Sequence, residues 1–190
     1  MTALLAYKIM DEKLIRHAYD QSITYAARLS AYASAKRTKN SSEITEKQDT
    51  LAKDDLMNFS YHTRRLLALT DTRNIFSSIC IPMKFATGES FNFEKILSII
   101  IHNELLEPFR TEFEEKILFT KTHDEAINLI ITYGKTKDTK QIPTGVFIKS
   151  DNSQIIRIEL NSFLEIFEKS VLPIILETCS EAGLHLDLDA

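Results

Sequence analysis

Phe91-Asn-Phe-Glu-Lys-Ile-Leu-Ser-Ile-Ile-Ile-His-Asn-Glu-Leu-Leu-Glu107 is the stretch on which the reading of this chain turns. Its almost wholly apolar run reads as a helix over about 91–106. Ser90 or Asn92 is placed to cap its start and Pro108 to end it. One histidine and one asparagine, His102 and Asn103, stand near its end, where buried polar groups need partners. At about 100° per residue, Lys95 and His102 lie nearly above one another, with Ser98 and Ile99 between them. His102 therefore stands on a seam with one basic and one hydroxyl neighbour. It is either a core anchor or a working group.

Working outward, the preceding helices set what this segment packs on. Residues 8–37 read as a long first helix with Leu14, Ala18, Tyr25, Leu29 and Tyr32 as its stripe. The polar run Arg37-Thr-Lys-Asn-Ser-Ser-Glu-Ile-Thr-Glu-Lys-Gln48 reads as a loop. A second helix spans about 49–69, with Ala52, Leu56, Phe59, Leu66 and Leu69 facing inward. Two long helices joined by a surface loop are expected to pack antiparallel.

His62 lies on the edge of that second stripe, with Arg65 three residues on and on the same side. If the second and third helices pack together, His62, Arg65, Lys95 and His102 can converge. Such a cluster can bind phosphate, because Arg and Lys stabilise an anion and a neutral His accepts a proton. The plainer reading is ordinary rim charges that never meet. His123-Asp-Glu125 reads as a surface turn, and Arg16-His17 as a solvated face.

Past Pro108 the pattern changes. Residues 115–121 alternate weakly, and 127–133 are rich in β-formers and stop at Gly134. Segment 108–135 is left open between helix and strand. Residues 145–160 read as a hairpin turning at Ser150-Asp-Asn-Ser153. Ser162 and Glu165 have capping-box spacing for a last helix to about Glu181, kinked by Pro173 and capped by Gly183. Segment 75–82 reads as a short helix or a strand halted by Pro82.

Composition agrees. The 190 residues are 44% hydrophobic, enough for one core, and only four glycines and four prolines argue against a turn-rich β fold. Residues 1–80 hold 12 basic against 9 acidic side chains, and residues 81–190 hold 11 against 18. Opposite fields meeting in the folded chain explains this better than a nucleic-acid partner. Cys80 and Cys179 lack ligand spacing and read as free thiols. No run approaches the roughly 18 apolar residues of a membrane span, so no membrane partner and a cytoplasmic location are expected. No phosphate-loop, dinucleotide, metalloprotease or serine-hydrolase motif occurs, and no cofactor or metal is expected.

The order of elements, with Ile-Ile-Ile-His102-Asn103 closing the third helix, resembles the HEPN superfamily of prokaryotic conflict and defence proteins, including toxin–antitoxin pairs. The resemblance covers residues 8–107 as the bundle and 145–160 as an appended β-ribbon. Active members are metal-independent ribonucleases that use an Arg and a His four to six residues apart on one helix, usually across a dimer. Carried over, the histidine is His102, and Lys95 stands where the arginine is expected. A lysine lacks the bidentate fork of arginine.

The expectation is a mainly α, single-domain fold. Its parts are a helical bundle (8–107), a β-containing appendage (115–160) and a closing helix (161–182). The expected function is that of a non-enzymatic HEPN-like module acting through homodimerisation or a partner protein. The alternative is an endoribonuclease acting on RNA through His102 with Lys95 or Arg65.

Overall fold

The first helix, α1 (Thr2–Ser34), contains no glycine or proline and is rich in alanine, so nothing breaks it over 33 residues. The second, α2 (Ser42–Leu69), runs back along it. Tyr32 Oη donates to Asp49 Oδ1 at 2.7 Å, Arg28 pairs with Asp55 at 3.0 Å, and Thr63 Oγ1 donates to Ser22 Oγ at 3.2 Å. Partner numbers rise along α2 as they fall along α1, which is the antiparallel hairpin expected. The computed structural model describes residues 2–35, 42–78, 91–109, 118–134, 144–150 and 154–186.

The remaining order is α3 (Arg73–Ser78), α4 (Phe93–Ile101), β1 (Asn103–Phe109), β2 (Leu118–Phe119), α5 (His123–Gly134), β3 (Gly145–Ser150), β4 (Gln154–Glu159), α6 (Leu160–Ile166), a π-helical segment (Phe167–Val171) and α7 (Leu172–Glu181). A mainly helical bundle thus carries a small antiparallel sheet in the strand order β1-β3-β4-β2. β3 and β4 form the expected hairpin, pairing Val146 with Ile158 and Ile148 with Ile156.

Alternation along the strands feeds two apolar clusters. Val146, Ile148, Ile156 and Ile158 face the main core, with Phe59, Phe93, Phe163 and Phe167. Phe147 and Ile155 face the other way, against Ala126 and Ile130 of α5. The sheet is therefore sandwiched, which is why every residue of β3 is buried.

Several expectations are corrected. The third helix ends at Ile101, and Leu105 and Leu106 belong to β1. Pairing with β3 replaces the last helical turn expected before Pro108. Residues 42–48 are helical rather than loop, because charged helix formers extend α2 toward its start. The β-rich segment 127–133 lies in a helix. Ala126 and Ile130, four residues apart, are its buried face, and Thr122 and Glu125 cap its start. The Glu125 amide donates to Thr122 Oγ1 at 3.2 Å, while Glu125 Oε2 accepts from the Lys121 and Thr122 amides at 2.7 and 3.3 Å. His123-Asp-Glu125 is thus a helix start, not a surface turn.

The last helix begins at Leu160 without a side-chain cap, so the Ser162–Glu165 box does not form. Pro173 cannot donate a hydrogen bond to the preceding turn, and where a kink is expected the helix widens into the π-helical segment just before it. Gly183, at φ 78°, ends α7 with the Leu184 amide on the Cys179 carbonyl at 2.8 Å. Segment 75–82 opens with α3, and Cys179 is a buried free thiol. Cys80, Pro82, Gly88, Ser90 and residues 135–143 lie outside the described residues.

Candidate functional site

His102 is the C-cap of α4. Its amide donates to the Ser98 carbonyl at 3.0 Å. The imidazole is exposed and makes no hydrogen bond, ion pair or ring contact among the described residues. Asn103, next along, is half-buried and donates to the Ile100 carbonyl at 2.6 Å and to the Met57 sulfur at 3.0 Å. It closes the helix end onto α2. Lys95 is exposed, with its ammonium 4.9 Å from the Phe91 ring centroid. Lys95 and His102 occupy one side of α4, as the helical period requires, but among the described residues no group bridges them.

His62 and Arg65 lie elsewhere. α2 turns its Met57 and Arg64 toward α4: Met57 meets Asn103, and Arg64 Nε donates to Glu94 at 3.2 Å. Those two residues are seven apart and share a face. His62 is two residues before Arg64, about 200° around the helix, and so faces α1. The structure does not bring His62 and Arg65 together with Lys95 and His102. α2 does pack on α4, but it uses different faces for its two neighbours, so that packing alone does not make the four groups converge.

What surrounds His62 is a cluster on the α1–α2 seam. Its ring stacks on Tyr25 at 5.9 Å and an interplanar angle of 15°. It meets His17 edge-on at 5.8 Å and Tyr61 at 5.2 Å. Arg28, held by Asp55, lies over the other aromatic partner, its guanidinium carbon 5.5 Å from the Tyr25 centroid. Burial holds the His62 imidazole below its ordinary value of 6.5, and the positive charges of His17 and Arg65 push the same way. His62 Nδ1 is fully buried and has no hydrogen-bond partner. A proton there would be a buried unsatisfied donor, so the neutral ring carries its proton on Nε2.

His17 is exposed, as a solvated face requires. Its contact with His62 was missed. One signal could have found it: pairing Arg28 with Asp55 sets the hairpin register and puts residue 21 opposite residue 62. His17 and Tyr25, one turn either side, then flank the imidazole.

No group of three or more His, Cys, Asp or Glu side chains able to hold a metal exists among the described residues. No described helix is long and apolar enough to cross a membrane. Compared with protein-family models, curated proteins and solved structures, the chain matches none of them.

Proposed function

We propose that this chain works by binding rather than by catalysis, as a HEPN-like helical module that self-associates or holds a partner protein. The observation that carries the reading is the isolation of His102. A histidine acting on a phosphodiester needs a cation within reach of the same phosphate and a group that orients its ring. His102 stands in water with neither among the described residues, and the Lys95 ammonium rests on an aromatic ring. The alternative, a metal-independent endoribonuclease using His102 with Lys95 or Arg65, draws support from the exposure of that imidazole alone.

Two measurements separate the readings. Sedimentation velocity over rising protein concentration is expected to show a dimer, and a monomer at every concentration removes self-association. Incubation of the purified chain with single-stranded RNA in chelator is expected to leave the RNA intact. Cleavage that disappears in His102→Ala, with folding preserved, overturns the binding reading in favour of the enzyme.

A further inference from the structure

Several charges among the described residues are paired. Arg28 meets Asp55, Arg64 meets Glu94, Lys53 meets Glu107, and the buried Lys149 meets Glu104. Arg65 is also half-buried, yet it has neither a carboxylate nor a hydrogen-bond acceptor among the described residues. Its neighbour His62 sits edge-on to His17, so three cationic or protonatable groups crowd one stretch of the α1–α2 seam. Desolvating an unpaired guanidinium costs stability, and an anion placed there would offset that cost.

The surroundings select the kind of anion. Tyr61 sits edge-on to His62 and is 53% exposed, a large aromatic face left open beside the cations. Flat aromatic surface next to positive charge is what nucleobases stack on while their phosphates are held. From α1 come His17, Tyr25 and Arg28, and from α2 come Tyr61, Arg65 and Asp55, whose carboxylate is taken by Arg28. Asp20, three residues beyond His17, is exposed and makes no ion pair among the described residues.

We propose that Arg65, His62 and His17 form a binding site for the phosphate of a nucleotide, with Tyr61 as the platform for its base. Arg65 supplies the permanent charge. Each imidazole offers a ring N–H to the phosphate oxygens. The site is separate from the interaction reading above: a monomeric chain could still bind nucleotide, and a dimer could fail to.

Imidazole NMR resonances of the full chain would be followed during titration with inorganic phosphate, adenosine 5′-monophosphate and a single-stranded RNA decamer. The expected result is movement of the His17 and His62 signals with nucleotide, weakened about tenfold in Arg65→Gln, as loss of one charge-assisted contact predicts. Tyr61→Ala should weaken the nucleotide and leave inorganic phosphate unaffected. His17→Ala, a change at an exposed position, gives a second test should Arg65→Gln fold poorly, and it should weaken all three ligands. Tighter binding of the decamer than of the mononucleotide identifies a strand as the source of the phosphate, and equal binding identifies the free nucleotide. No movement of either imidazole at 10-millimolar-order nucleotide (roughly the weakest useful affinity), or movement unchanged by both variants, overturns the site. Equal affinity for inorganic phosphate and nucleotide overturns the assignment to nucleotides.

Discussion

A single buried ring nitrogen gives the α1–α2 seam a pH dependence whose sign can be derived. Folded His62 resists protonation because burial, His17 and Arg65 all oppose the charge. The unfolded chain has no such resistance and takes up the proton near the ordinary value of 6.5. The stabilisation is therefore fully present above that pH and is lost as pH falls toward the depressed folded value. Asp55 acts in the opposite sense. Burial raises its carboxyl above 3.8, against the pull of Arg28, so its contribution improves as pH falls through its own window. Comparing wild type with His62→Gln isolates the imidazole from that opposing trend. Urea denaturation at pH 7.5 and 5.5 should show wild type losing more stability than the variant between the two conditions. Identical losses would mean that the ring is not held neutral by its surroundings. Histidine NMR should place the His62 midpoint below that of a free imidazole.

At the scale of elements, β1 shows how a local irregularity carries a charge inward. The strand pairs with β3 through a register shift between Asn103 and Leu105, leaving Glu104 as the extra residue. That residue reaches the ammonium of Lys149, which is 2% exposed, while the Glu104 side chain is 47% exposed. Breaking such a pair from the acid side leaves a buried cation alone. Glu104→Gln is expected to cost about 2 kcal/mol, below the usual range for a fully buried pair because the acid is half in water. Lys149→Met removes the charge with its carboxylate left to solvent, and should cost less than about 1 kcal/mol. Chemical denaturation of both variants checks the order, and a costlier Lys149→Met would sink the argument.

The same strand marks where the sequence stopped being readable. Leu105 and Leu106 continue the helical period of α4, and only their partners on β3, some 40 residues on, make them a strand. The α5 segment misleads in the other direction. Ile127, Ile130, Ile131, Thr132 and Tyr133 favour strands by residue type, but the Thr122–Glu125 cap and the one-sided burial of Ala126 and Ile130 make a helix. The hairpin α1–α2, the β3–β4 pairing and the Gly183 cap were legible because each is encoded within its own residues. For the site, the adjacency of His62 and Arg65 was legible as helical spacing. Which helix covers them was not, because α2 is buried on more than one side and spacing does not say which neighbour takes which face.

Across the whole molecule, the charge asymmetry of the two halves finds its use. Lys53 pairs with Glu107, and Arg64 and Arg73 both reach Glu94, so basic groups of the first half meet acids of the second. Beneath those contacts, Phe59 of α2 meets Phe163 and Phe167 edge-on at 5.7 and 5.0 Å, and Phe93 stacks on Phe163 at 5.2 Å. One aromatic group thus ties the hairpin, α4 and the closing helix. Phe59 is fully buried, and Phe59→Ala should cost about 3–5 kcal/mol, a large share of the roughly 5–15 kcal/mol that holds a domain folded. Because three elements share the lost contacts, the loss should be global: circular dichroism and tyrosine fluorescence should report one transition, shifted together. Phe147→Ala tests the contrast. Phe147 belongs to the smaller cluster under α5, against Phe109 at 4.8 Å, with no part in the main aromatic group. Its removal should speed amide exchange in α5 well beyond exchange in α1 and α2. Equal acceleration throughout would show that the two clusters open as one unit, and the sheet would then be a rigid partition and not a boundary between regions of different stability.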